Sequence, residues 1–150
     1  VRRVYLLIPL ALVVFIAISV LLARVFSADG AERSAITALI KAEARGDQNG
    51  MVSRIRGCAT EPECRARVAQ DATALAHSGA VSIIQIQASA GLSLTGTLGT
   101  ARVAWSVASS RPIVQCVRVR RGGDVLRGLR IELLSLSARI KSDADCPTRF

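Results

Sequence analysis

Between Val4 and Ala23 the chain reads VYLLIPLALVVFIAISVLLA, twenty residues without a charged side chain. At about 1.5 Å per residue, a helix of that length covers about 30 Å, the thickness of a bilayer's hydrocarbon core. A stretch that is apolar on every face reads as a single-pass transmembrane anchor. Arg2 and Arg3 precede it, whereas one nearby Arg24 and then Asp29 and Glu32 follow. That bias predicts an N-terminus inside and a C-terminal domain outside the cell membrane. A cleaved signal peptide is the competing reading. Its apolar region normally runs to about 7–15 residues, and the best exit site here, Ala28-Asp29-Gly30, is spoiled by the acid. The expected layout is a cytoplasmic N-terminus at 1–3, an anchor at 4–23, a linker at 24–29 and an exported domain at 30–150.

All four cysteines, Cys58, Cys64, Cys116 and Cys146, follow the anchor. An even number beyond an export signal fits an oxidising compartment. Of the three possible pairings, Cys58–Cys64 with Cys116–Cys146 closes one tight loop and ties the tail to a strand. Free thiols are the alternative if the topology is inverted. The spacing lacks a close CxxC pair and His77 is the sole histidine, so no metal site is expected. No cofactor is expected either. The run Gly96-Thr97-Leu98-Gly99-Thr100 has no following Lys-Ser/Thr and falls in a strand, unlike a phosphate-binding loop.

The exported part divides into a helical half and a strand half. Asp29 and Glu32 have capping-box spacing and predict a helix from Gly30 to Arg45, with Ile36, Leu39 and Ile40 on one face. Gly46 suits its C-terminus. Asp47 then caps a short helix carrying Met51, Val52 and Ile55 that ends at Gly57. Thr60, Pro62 and Glu63 open a third helix from Glu61 to His77, with Cys64, Val68, Ala72 and Leu75 on its apolar face. Beyond Gly79 the β-branched content rises. Strands are predicted at Val81–Ala88, Leu92–Ala108, Ile113–Arg121 and Leu129–Lys141, with Arg121-Gly122-Gly123-Asp124 as a hairpin turn. In the second strand Leu92, Leu94 and Leu98 hold even positions, whereas Ala101, Val103, Trp105 and Val107 hold odd ones. A bulge around Gly99 reconciles them and predicts a strongly curved strand. In the last strand Leu134, Leu136, Ala138 and Ile140 share a face. Three helices followed by a four-stranded antiparallel meander make an α+β domain.

Of the 20 Lys and Arg residues, 18 follow the anchor, against all 11 Asp and Glu. Such a basic remainder excludes an acidic binding protein, and one Trp with one Tyr exclude an aromatic-rich recognition surface. Arg118 and Arg120 share one strand face; Arg139 and Lys141 take the parity opposite to the apolar residues of the last strand. Together they form a candidate basic surface for anionic head groups or an acidic partner. A solvated face in an arginine-rich coding background is the plainer account, given 18 Arg to 2 Lys. Export and the lack of interleaved aromatics argue against nucleic acid. Trp105 and His77 are candidate pocket residues, with core filling and a helix end as their plainer roles. Asp71 lies six residues before His77, about 240° around the helix, which argues against a direct pair.

The stretch Ile36-Thr37-Ala38-Leu39-Ile40-Lys41-Ala42-Glu43-Ala44-Arg45-Gly46-Asp47, with its Gly-Asp break, resembles the opening helix of the NTF2-like (cystatin-like) superfamily. The strand, hairpin and strand from Ile113 to Ile140 resemble that family's closing arm. The resemblance spans roughly residues 30 to 142. It implies helices laid across a curved sheet that forms a cone, which in relatives serves isomerases, dehydratases, secretion scaffolds and small anchored proteins. The enzymatic branches place an acid or a His–Asp pair in an aromatic-lined pocket, and this chain departs from that pattern. The expected function is a membrane-anchored extracytoplasmic binding or scaffold domain of a bacterial envelope assembly, with a protein partner. The alternative is a small NTF2-like enzyme (isomerase, dehydratase or hydrolase type) or a carrier of a small apolar ligand.

Overall fold

The computed structural model describes residues 2–89, 97–108, 110–124 and 128–150. Helix α1 runs over Arg2–Ala44, 43 residues, as one element. Residues 24–29, expected as a linker, are helical within it. No proline stops the helix there, and Gly30 costs only about 1 kcal/mol in a helix interior. Asp29 and Glu32 therefore cap nothing. From Ile8 to Ala23 every side chain is exposed, Phe15 to 68%. The helix carries a window of mean hydropathy 2.6 and is long and apolar enough to cross a membrane. Ala28, Glu32, Ile36, Leu39, Ile40 and Glu43 are then buried, three or four residues apart along one face. One helix thus leaves an uncovered apolar segment and enters the core of a domain.

Helices α2 (Gln48–Arg54) and α3 (Pro62–Ala74) pack against α1. Gly46 sits at φ +67°, the left-handed conformation that ends α1, and the Asp47 carboxylate caps α2 by accepting from Gly50 N at 2.8 Å. The Thr60–Glu63 box does not form. Glu61 is the N-cap without a side-chain bond, and the Thr60 hydroxyl turns back to donate to Gly57 O at 3.0 Å. The Cys58–Cys64 disulfide fixes the α2–α3 junction, with Cα atoms 5.2 Å apart.

Strands β1 (Val81–Gln87), β2 (Thr97–Val107), β3 (Ile113–Asp124) and β4 (Gly128–Leu136) form one antiparallel meander in sequence order. The α+β class and four-stranded antiparallel sheet are as expected; the sheet is neither closed nor strongly curled. Its helix-facing side buries Ile86 from β1, Ala101, Val103, Trp105 and Val107 from β2, Ile113, Val117 and Val119 from β3, and Leu133 and Leu136 from β4.

The bulge expected near Gly99 is absent, for β2 pairs with β3 in unbroken register from Thr97 to Trp105. Leu98 has no need of a parity change because it points outward, 63% exposed. Leu92 and Leu94 lie outside the described residues. The irregularities occur instead at Ile84 in β1, which is skipped between the pairs Ile83↔Trp105 and Gln85↔Ala104, and at Leu134 in β4. The latter moves Leu133 inward and leaves Leu134 half-buried. Gly122 and Gly123 continue the ladder, opposite Arg130 and Leu129, so β3 runs past the expected turn. Beyond Leu136 the Ser137 hydroxyl accepts the Cys116 N–H at 2.8 Å, which breaks the strand, and Ala138 is exposed.

The remaining tail crosses the outer side of the sheet. Cys116–Cys146 staples it, with Cα atoms 5.8 Å apart. Arg102 donates to Ser142 O, and Arg118 donates to Thr148 O at 2.5 Å while lying 5.0 Å from the centre of the Phe150 ring. Both disulfides have the expected pairing.

Candidate functional site

Two polar connections join α1 to β3 and orient the domain. Near one end Arg121 Nε donates to Glu32 Oε2 and Nη2 to Asp29 Oδ1, both at 2.6 Å. Near the other, Gln115 Nε2 donates to Glu43 Oε1 at 2.7 Å. Asp29 to Glu43 spans about 21 Å along a helix, and Gln115 to Arg121 spans about 20 Å along a strand. The equal spans mean that β3 lies along α1 in the opposite direction. The Arg121 end is therefore the end from which the apolar segment emerges, and the end with Ala44, His77 and Ile113 is the far one.

The near-end node is built around a wholly buried carboxylate. Glu32 is 0% exposed and accepts from Ser89 N at 2.8 Å and Ser89 Oγ at 2.9 Å as well as from Arg121. Ser89 reaches it by lying against Gly99, where any Cβ would collide with the Ser89 side chain. Burial works against the Arg121 charge, but the bonds to Glu32 and Asp29 outweigh it and hold the guanidinium above its usual range. A charge pair so fully satisfied fixes the height and rotation of α1 against the sheet.

Toward the far end Trp105 Nε1 donates to Gln115 Oε1 at 2.8 Å, and Gln115 Nε2 reaches Glu43 Oε1 and Ser137 O. Trp105, Gln115 and Glu43 are all 0% exposed. Burial pushes the Glu43 carboxyl up to about 8; the Gln115 bond opposes this and nearby Asp71 adds to it. Burial likewise raises Asp71 to about 6, with Arg67 opposing. At neutral pH Glu43 is thus a neutral acid inside a filled core.

Trp105 and His77 are not brought together. Trp105 packs within the core, whereas exposed His77 follows α3, its ring Nδ1 2.8 Å from Leu75 O and its backbone N–H donating to Ala44 O. The four basic candidates separate in height. Arg118 holds the tail, and Arg120 is exposed with Nη1 3.9 Å from Glu132, which also pairs with Arg56. Arg139 and Lys141 stand at the far end, where with Arg111 and Asp143 they line an open cleft of about 660 Å³. A second cavity of about 390 Å³ lies between α3 and the tail, bordered by Arg67, Val68, Arg118, Leu134 and Phe150. Neither Trp105 nor His77 lines either one. Among the described residues no His, Cys, Asp and Glu side chains cluster in a way that could hold a metal.

The buried polar groups were signalled in the sequence by phase. Glu43 continues the Ile36, Leu39, Ile40 stripe, and Gln115 and Arg121 share the inward parity of Ile113, Val117 and Val119. A polar residue in phase with a core is a buried polar residue. No family model, curated protein or solved structure matches the chain.

Proposed function

We propose that this chain is a membrane-anchored extracytoplasmic binding or scaffold domain of an envelope assembly, with its N-terminus inside. The observation that carries the reading is the unbroken α1, whose exposed apolar segment continues into the wholly buried Ile36, Leu39 and Ile40. Ala23 and Glu43 are about 30 Å apart along that helix. The domain's far end, with Arg111, Arg139 and Lys141, is therefore held clear of the bilayer as a basic surface for an acidic protein partner. The order of helices and strands supports an NTF2-like ancestry. A Trp105 that is fully buried and donates to Gln115 favours display over catalysis.

Crosslinking in intact membranes, followed by nonreducing pull-down of the full chain, tests this. A discrete partner adduct that is lost in the Arg139→Glu/Lys141→Glu variant is expected, together with protease sensitivity of the domain from the outer side only. An adduct pattern unchanged by charge reversal, or a domain digested from the inner side, refutes the reading.

A further inference from the structure

The geometry that lifts the far end also lowers part of the sheet. Arg121 meets Asp29, which stands six residues beyond Ala23, about 9 Å along the helix. Strand β3 descends from there for three more residues, to Asp124, where it pairs with Gly128. At about 3.3 Å per residue this brings the strand about 10 Å closer to the bilayer. The Asp124–Gly128 pair therefore reaches the level of Ala23, the edge of the charge-free segment.

The exposed side chains around this end have interfacial chemistry. Arg33 on α1, Arg120 on β3 and Arg130 on β4 are exposed. Leu98, 63% exposed, lies directly opposite Arg120 in the β2–β3 ladder. Of the acids whose side chains are described there, Asp29 is engaged by Arg121 and Glu132 by Arg56 and Arg120. Exposed arginines at head-group height, Arg130 lowest and Arg120 sharing Glu132 with Arg56, match the phosphate layer of a bilayer surface.

We propose that the membrane-facing end of the β3–β4 ladder, residues 120–124 with 128–130, is a second membrane contact that docks on anionic lipid head groups beside α1. The proposal rests on the reading that α1 crosses the bilayer and adds a lipid-recognition surface to it. The arginines bind phosphate oxygens, and the height is imposed by the Arg121 node.

Gly122 offers a reporter position, because a Cβ there meets nothing within 4 Å and its φ is not positive. The full chain carrying Gly122→Trp is reconstituted in vesicles of brominated phosphatidylcholine, with or without phosphatidylglycerol, and tryptophan quenching is read. Wild-type Trp105, about 30 Å above the segment edge, serves as the unquenched reference, and Phe15→Trp reports on α1 itself. Leu98→Trp is an independent second reporter, placed two residues higher. The expected result is quenching of the Gly122→Trp reporter in anionic vesicles, weaker quenching of Leu98→Trp, and about a five-fold fall in the docked-to-undocked ratio for each of Arg120→Glu and Arg130→Glu. Quenching of Phe15→Trp with both hairpin reporters as silent as Trp105 overturns the proposal and leaves the anchor standing. Silence of Phe15→Trp overturns the anchor and the docking together. Quenching that ignores phosphatidylglycerol and charge reversal overturns head-group recognition.

Discussion

Replacing Glu43 by Gln should make the protein more stable at neutral pH and remove most of its alkaline sensitivity. Glu43 is fully buried, keeps one hydrogen bond through Oε1, and its Oε2 has no partner among the described residues. Its carboxyl titrates at about 8 in the fold against an ordinary 4.5, so folding near pH 7 requires it to take up a proton. A raised carboxyl means that the unfolded chain binds fewer protons between those values, and stability falls as pH rises. The contribution is fully present below about 4.5, declines by about 1.4 kcal/mol per pH unit, and levels off above about 8. At pH 7 the uptake costs about 3 kcal/mol, which an amide does not incur. Gln at this position retains the acceptor for Gln115 and turns a donor into the space beside Asp71. Urea unfolding of the full chain in detergent, followed by emission of the single tryptophan, Trp105, supplies the assay. The wild type should lose stability steeply from pH 6 to 8, and Glu43→Gln should be nearly flat there and more stable at pH 8. Below pH 6 both should still gain stability on acidification, because Asp71 titrates at about 6. Equal slopes for the two proteins between pH 6 and 8, or a flat wild type, would refute a neutral buried Glu43.

Arg121→Met leaves the buried Glu32 without its cationic partner and should cost about 3–5 kcal/mol in the same unfolding assay, whereas adding Glu32→Gln should recover a substantial part. Gly99→Ala pushes Ser89 off Glu32 and should cost about 1–3 kcal/mol; an unchanged urea midpoint counts against the close approach of Ser89 to Gly99. Removing Cys116–Cys146 by paired serine substitution should cost about 3–4 kcal/mol on the loop-closure model and expose the Arg118-bound tail to carboxypeptidase. Retained protease resistance would mean that Arg102 and Arg118 hold the tail without the disulfide.

Much of the architecture was legible because it rests on local chemistry. The apolar run, the Asp47 cap, the Gly46 stop, the strand order and both disulfides follow from spacing and turn residues. The misreadings share a cause. Asp29 and Glu32 have the spacing of a cap, but a cap needs a helix start, and only the distant Arg121 reveals that these acids are paired across the fold. Leu98 looked like a core residue because leucine usually is one; its outward position depends on the register with β3. The bulges at Ile84 and Leu134 carry no glycine or proline to mark them. The basic residues were identifiable, but not their separation between tail, near end and far end, since that depends on how β3 lies along α1.

On the proposed topology, the absence of a joint in α1 makes the domain a lever arm set in the lipid. A transmembrane helix tilts when its apolar length exceeds the local bilayer thickness, commonly by about 20°. With the far end about 30 Å above the pivot, such a tilt carries the Arg139–Lys141 cleft sideways by about 10 Å. A jointed tether would absorb that motion. With α1 crossing the membrane as proposed, bilayer thickness becomes a coordinate of where the cleft is presented, and the proposed partner would meet it in some membranes and miss it in others.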